Sequence, residues 1–233
     1  MAGVVAKPLL PLLLVTDLMG TTLRDDGAVL PAYRAAFAEH AIRFTEEELA
    51  ARRGAHKQSL FNEFAARQYD PERAPKIAAV ALQSFERHLR ATIVGGATEI
   101  AGARAAVTRL REAGIKVVLT SGFDRGLIAD IVAHCGWGDL FDAFVYPDEV
   151  PAGRPAPYLI FQAMQKTGVL PVARVAAIGD TALDLQAGTN AGAGWVIGVL
   201  SGAHDATVLG RAPHTHLLPS IAELPGLLAV GEA

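Results

Sequence analysis

The chain has 233 residues, 51% of them hydrophobic, which sets a prior of one to two domains and leaves ample material for a core. A net charge of −3 supplies no basic field for nucleic acid or an anionic membrane surface. The single cysteine, Cys135, permits no internal disulfide, fits a reducing cytoplasm, and reads as a small buried hydrophobe near Trp137.

Lys7 followed by the apolar run Leu9–Val15 has the outline of a short signal-peptide core. No small-residue cleavage site follows it, and the run leads directly into Asp17, so it reads as a first buried strand. No stretch approaches the ~20 apolar residues of a membrane-spanning helix. The strand closes in D-L-M-G-T-T, Asp17 to Thr22. A buried strand ending in a carboxylate presents it at the carboxyl edge of a sheet, where open α/β folds place ligands. A carboxylate there can attack phosphorus.

Residues 23–97 read as helical throughout. Ala32–Ala41 has helical spacing, and Thr45 with Glu48 forms a capping box before Leu49. The Glu46–Glu48 run suits a helix N-terminus through its dipole. A pattern through Lys57, Leu60, Phe61 and Phe64 is broken by Pro71 and Pro75, and Ile77–Leu89 makes a further helix. This is a helical insertion with hinges near Thr22–Asp26 and Gly95–Gly96.

From residue 98 the pattern alternates between helix and strand. Thr98 is the expected N-cap of a helix carrying Ile100, Ala103, Val107 and Leu110, up to Gly114. Ile115–Leu119 is a strand closing on Thr120-Ser121-Gly122, followed by a helix over Gly126–His134 and a strand at Ala143–Tyr146. A helix over Pro157–Thr167, a strand over Val172–Ile178 ending at Gly179-Asp180, and a helix over Thr181–Ala191 come next. Strands at Trp195–Leu200 and His216–Leu218 finish the series. Such alternation implies an α/β fold with a parallel sheet covered on both faces. Trp137 and Trp195 read as core residues, and His214 and His216 as structural or surface residues rather than metal ligands.

Four short stretches fall at or just after strand ends. Asp17 opens the set, and Ser121-Gly122 offers a hydroxyl and a backbone N–H to phosphoryl oxygens near a helix N-terminus. Arg154, in G-R-P-A-P, supplies a cation after the Tyr146 strand. Asp180 and Asp184, in G-D-T-A-L-D, bring two more carboxylates one helical turn apart. Repelling carboxylates at a sheet edge call for a cation between them, and oxygen-only ligands favour Mg²⁺, which shares one or two carboxylates with a phosphate.

On these motifs, in this order, the chain resembles the haloacid dehalogenase superfamily of aspartyl-phosphate hydrolases, over essentially its whole length. The resemblance implies a Rossmann-like α/β core (1–22 and 98–233) with an all-helical cap (23–97) inserted after the first motif. It implies Asp17 as nucleophile, Ser121 as holder of the phosphoryl group, and Arg154 as neutraliser of its charge. Mg²⁺ would be bound by Asp17, Asp180 and the Met19 carbonyl, with Asp184 supporting that shell. Gly20, Thr21 and Gly122, together with Arg53 and His56 of the cap, are the expected substrate contacts.

In phosphatases of this superfamily the residue two after the nucleophile is usually a second Asp, which protonates the leaving alkoxide and later activates water. Met19 cannot carry a proton. D-x-x-G-T-T without that Asp resembles the phosphonatase (phosphonoacetaldehyde hydrolase) group and the neighbouring phosphonatase-like hydrolases. In phosphonatase a cap lysine forms an imine with the substrate aldehyde, so that an enamine leaves instead of an unstabilised carbanion. Lys57, in R-R-G-A-H-K, stands three residues after Gly54, the spacing of that lysine. Arg52, Arg53 and His56 nearby would depress its pKa. Two other readings stay open for Lys57, a solvated helix lysine and a non-covalent anion contact as in sugar-phosphate mutases of the superfamily. Against phosphonatase the chain carries Met19 for a small alanine, Leu60 for a histidine, Phe123 for a tyrosine and Arg53 for a methionine. G-R-P-A-P at Arg154 and G-A-H-D at Gly202–Asp205 look more like the phosphonatase-like group.

The expected function is therefore Mg²⁺-dependent hydrolysis of a small phosphonate in the cytoplasm. The alternatives are a phosphomonoesterase of the phosphoglycolate phosphatase or beta-phosphoglucomutase-like group, and a non-catalytic protein that binds a phosphoryl ligand. No nucleic-acid or membrane partner is expected. Resemblance to phosphonatase implies a homodimer through the cap.

Overall fold

The computed structural model describes residues 9–93 and 95–230; Lys7 lies outside them. Six parallel strands, β1 (Leu13–Asp17), β2 (Lys116–Thr120), β3 (Ala143–Val145), β4 (Val175–Gly179), β5 (Trp195–Val199) and β6 (His216–Leu218), form one sheet in the order β3-β2-β1-β4-β5-β6. Ten helices accompany them among the described residues. Between β1 and β2 lie α1 (Val29–Glu39), α2 (Glu46–Ala50), α3 (Lys57–Ala66) and α4 (Ala74–Ile93). The others are α5 (Ala103–Glu112), α6 (Arg125–Cys135), α7 (Tyr158–Thr167), α8 (Ala182–Ala191), α9 (Ala206–Leu209) and α10 (Leu224–Leu227).

Strand residues alternate between two apolar layers, as the pleat requires. Leu14, Val117, Leu119 and Ile178 pack with Val107 and Leu110 of α5 and Leu127 and Ile131 of α6. Leu13, Val15, Val118 and Ala177 pack with Leu159, Ile160 and Ala163 of α7 and Ala187 of α8. With both faces buried, β1 and β4 read as continuous apolar runs. β1 is central, and its register sets Asp17 opposite Thr120 and Thr16 opposite Ile178. The carboxyl ends of β1, β2 and β4 therefore finish at one edge.

The helices between β1 and β2 enclose the rings of Tyr33, Phe37, Phe61, Phe64 and Phe85, with centroid separations from 4.3 to 5.9 Å. Phe85 also stacks on Phe123, at 6.4 Å, and so joins this aromatic group to the loop after β2. The entering and leaving strands of chain pair with each other. Arg24 N–H donates to the Thr98 carbonyl (2.8 Å) and Ile100 N–H to the Thr22 carbonyl (2.9 Å), with Leu23 bridged antiparallel to Glu99.

That pairing corrects one expectation. Residues 98–100 are held extended, so Thr98 caps no helix; its hydroxyl bonds the Gly96 carbonyl, and α5 starts at Ala103 after Gly102 at φ +78°. Val172–Arg174 is a 3₁₀ turn closed by Arg174 N–H on the Pro171 carbonyl, so β4 starts three residues later than its apolar run suggested. Pro75 does not break a helix but sits in the first turn of α4, where its missing N–H has no helical partner to lose. The Thr45–Glu48 capping box forms as expected. Trp137 and Trp195 are buried, and His216 stacks on Trp195 at 5.2 Å. Among the described residues no helix is long and apolar enough to cross a membrane.

Candidate active site

Asp17 ends β1 and is buried, with its Oδ1 2.7 Å from Arg154 Nη1. The same guanidinium places Nε 2.7 Å from Asp184 Oδ1 and donates from Nη2 to Thr120 Oγ1 at 2.8 Å. Sequence reasoning took Arg154 as a loop cation; the fold buries it to 8% side-chain exposure between two carboxylates. Thr120 was missed as its support because a strand-terminal threonine carries no signal of its own.

The turn after β1 is closed by Thr22, whose hydroxyl donates to the carbonyls of Asp17 and Leu18, and by Leu23, whose N–H bonds the Leu18 carbonyl. Gly20 sits in this turn at φ +85°, and a Cβ there would overlap the Asp180 carboxylate. A Cβ at Gly202 would overlap the same carboxylate, and Ala203 N–H donates to Asp180 Oδ2 at 2.7 Å. Two glycines thus make room for Asp180 against the Asp17 turn. Thr21 is buried, and its hydroxyl lacks a hydrogen-bond partner.

Asp184 is fully engaged. Its Oδ1 meets Arg154, and its Oδ2 accepts from Thr181 N–H (3.0 Å) and Thr181 Oγ1 (2.5 Å) in a capping box that opens α8. The T-x-x-D spacing in the sequence is the signal that would have placed Thr181 here.

Burial is the chief force on these acids. It raises the Asp17 pKa to about 6 against the lowering effect of Arg154, with the Asp184 charge adding to the rise. Asp180 is pushed well above the usual carboxylate range by burial, then by Asp17 and Asp184. Three buried carboxylates share one arginine, so the cluster is short of positive charge. No group of three His, Cys, Asp or Glu side chains is arranged to hold an ion among the described residues. Asp17 and Asp180 are the carboxylates that could take a cation such as Mg²⁺, which uses one or two carboxylates and fills its other positions with water and a substrate oxygen. With both oxygens taken, Asp184 is suited to hold Arg154 and the α8 terminus rather than the ion.

A cavity of about 200 Å³ opens on this edge, lined by Asp17, Met19, Ser121, Gly122, Arg154 and Asp180 from the sheet side. Arg53, Gly54 and Lys57 close it from the helical side. Ser121 is buried, its Oγ accepting from Phe123 N–H at 3.2 Å. Lys57, at the first position of α3, is 9% exposed, with Nζ 5.0 Å from the Phe123 ring centroid and 5.9 Å from that of Tyr33. Nζ donates to the Ala55 carbonyl at 3.3 Å. The ammonium's pKa is lowered to about 8, chiefly by burial, with Arg154 lowering it further and Asp17 opposing. The positive end of α3 disfavours the charge as well. The sequence pointed to Arg52, Arg53 and His56 as the cause of this shift, whereas its chief cause is burial. Arg52 points away to Glu63 (2.7 Å), and Gly54 at φ +82° interrupts the helix between Arg53 and Lys57.

Residues 53–56 touch four sheet-edge loops in succession. Arg53 Nη1 reaches the Ala203 carbonyl (3.4 Å), and a Cβ at Gly54 would overlap Thr181 Oγ1. The Ala55 carbonyl faces Gly122, and His56 packs on Gly153. His56 bonds Ser59 (3.1 Å) and does not line the cavity, unlike the other cap residues singled out in the sequence. His204, not among the expected site residues, does line it, its Nδ1 accepting from Ala182 N–H at 3.1 Å.

The chain is 38% identical over 125 residues to a phosphonoacetaldehyde hydrolase from Bacillus cytotoxicus, covering 53% of this chain and 47% of that one. The chain thus spans about half the length of the curated relatives it matches. In fold it is similar to a phosphonoacetaldehyde hydrolase like protein from Oleispira antarctica, with TM-score 0.78, 20% identity, and 96% and 92% of the two chains covered. CbbY from Rhodobacter sphaeroides, in complex with phosphate, is similar with TM-score 0.71, 18% identity, and 92% and 96% covered. The family profile described as haloacid dehalogenase-like hydrolase matches residues 12–192, from the strand bearing Asp17 to the end of α8. That match covers well over half of the chain, and the chain belongs to the haloacid dehalogenase-like hydrolases.

Proposed function

We propose that the protein cleaves the C–P bond of a small carbonyl phosphonate, with Asp17 taking the phosphoryl group and Lys57 taking the carbonyl carbon. The observation that carries this reading is Lys57, a cap amine buried in the same cavity as Asp17 with its pKa lowered to about 8. Met19 supports it from the other side. A phosphomonoesterase lacking its general acid loses about 10²–10⁴-fold in rate, whereas an imine mechanism expels an enamine and needs no proton on a leaving alkoxide.

Lys57 as free amine adds to the carbonyl, and water leaves to form the imine. Asp17 attacks phosphorus, the C–P bond breaks, and its electron pair moves into the imine to give an enamine. Protonation at carbon and addition of water return the amine and release the carbonyl product. A second water attacks phosphorus of the acyl phosphate on Asp17, returning the carboxylate and freeing phosphate. Ser121 Oγ and Gly122 N–H hold phosphoryl oxygens, and Arg154 neutralises their charge while orienting Asp17. Mg²⁺, held by Asp17, Asp180 and the Met19 carbonyl, would supply further positive charge to the phosphonate. The cap segment 53–56 excludes bulk water from the reacting groups. The same reading includes a cytoplasmic location, to which the single cysteine lends support, and a homodimer through the cap.

Borohydride reduction in the presence of phosphonoacetaldehyde tests the reading. Covalent labelling at Lys57, found by peptide mass spectrometry, together with Mg²⁺-dependent phosphate release is the expected result. Phosphate release without labelling turns the assignment to a phosphomonoesterase. No release from any phosphonate or phosphate ester in a broad panel turns it to a non-catalytic phosphoryl-binding protein.

A further inference from the structure

The cavity has a third polar corner that the chemistry above leaves without a role. Arg53 lines it, and its guanidinium is held only by two long contacts. Nη1 donates to the Ala203 carbonyl at 3.4 Å, the long end of the hydrogen-bond range, and Nη2 makes a long ion pair with Asp25 at 3.9 Å. Asp25 itself accepts from Gly27 N–H. The other charged groups of this wall are matched: Arg52 holds Glu63 through two bonds, and Glu46 pairs with Arg34 at 2.7 Å.

Tyr33 faces the same space. Its ring is fixed on Phe85 (4.3 Å) and lies beside the Lys57 amine, yet its hydroxyl makes no protein hydrogen bond among the described residues. Arg53 and Tyr33 line one and the same cavity. Val29, Leu30 and Leu49 supply an apolar wall around them.

A loosely held guanidinium and an unpartnered hydroxyl in one cavity match a planar carboxylate, which a guanidinium can hold through two parallel bonds. The geometry points to a substrate that carries a carboxylate besides its phosphonate and carbonyl, a 2-oxo acid phosphonate, with Arg53 and the Tyr33 hydroxyl as the carboxylate subsite. This rests on the placement of the phosphonate at Asp17 and the carbonyl at Lys57. The bond changes are those already written, so one water is consumed overall and the products are phosphate and the 2-oxo acid without its phosphono group.

Two carbonyl-free ligands separate this subsite from the imine chemistry. Isothermal titration of the Mg²⁺-loaded protein should show 3-phosphonopropionate binding at least about ten-fold tighter than propylphosphonate, the two differing by the carboxylate. Arg53→Met should close that gap, and Tyr33→Phe should narrow it. In turnover, 3-phosphonopyruvate should exceed phosphonoacetaldehyde in kcat/KM. Equal affinities in the wild type, a gap that survives Arg53→Met, or no binding of either ligand overturns the inference. A gap that is present while borohydride labels Lys57 with neither carbonyl compound leaves the carboxylate subsite standing and removes the imine.

Discussion

Replacing Lys57 by methionine removes an ammonium and leaves a flexible apolar side chain against the rings of Phe123 and Tyr33. The folded pKa of about 8, against an ordinary 10.5, reflects burial above all. At ~1.4 kcal/mol per pH unit, that difference places about 3 kcal/mol of unfavourable free energy in the folded ammonium. Between about pH 8 and 10.5 the unfolded chain holds this proton more often than the native one, so wild-type stability rises with pH across the window. Below pH 8 the penalty is fully present. Lys57→Met lacks it at every pH. Urea denaturation of both proteins in the absence of metal, followed by tryptophan fluorescence at pH 7 and pH 10, measures the two gaps. Relative to wild type, the variant should gain about 2 kcal/mol more at pH 7 than at pH 10. Any packing difference between the side chains is independent of pH and cancels in that comparison. A gap that does not change between the two pH values would refute the claim that a buried, charge-strained amine sits in the cavity.

If the free amine is the reacting form, kcat/KM for phosphonoacetaldehyde should rise with pH and level off above about 8, read from initial rates at saturating Mg²⁺. Gly54→Ala puts a Cβ onto Thr181 Oγ1 at a left-handed position, so cap docking should weaken and kcat/KM fall by about ten-fold or more while urea stability changes by only ~1–2 kcal/mol. Arg154→Met leaves Asp17 and Asp184 facing each other without their shared cation, and the urea midpoint should report a loss of about 3–5 kcal/mol at pH 7. Met19→Asp should raise hydrolysis of small phosphate monoesters if a missing general acid limits them, and should give no gain in C–P cleavage; both are read as phosphate release.

Much of the core was legible because its signals are local. The apolar run into Asp17, the β-branched run into Thr120 and the G-D-T-A-L-D stretch each mark a strand end within a few residues, and alternation with helices implies that parallel strands bring such ends to one edge. The capping box at Thr45 worked for the same reason: donor and acceptor are three residues apart. Thr98 failed because its fate depends on a backbone pairing with Thr22–Arg24, more than seventy positions away in the chain. Val172–Arg174 failed because an apolar run does not say where the first ladder hydrogen bond falls.

The amino-acid order by itself determined the α/β alternation, the helical insertion, the set of acids at strand ends, and the absence of a proton-carrying group at Met19. The tertiary structure decided which of these groups meet. It set Arg154 between Asp17 and Asp184, engaged both oxygens of Asp184, buried Lys57 beside Phe123, and left Arg53 and Tyr33 with unused donors in the cavity. Strand ends and caps follow from short-range sterics and hydrogen bonding. Burial, and the pKa and pairing that follow from it, depend on which distant surfaces pack together once the chain has closed.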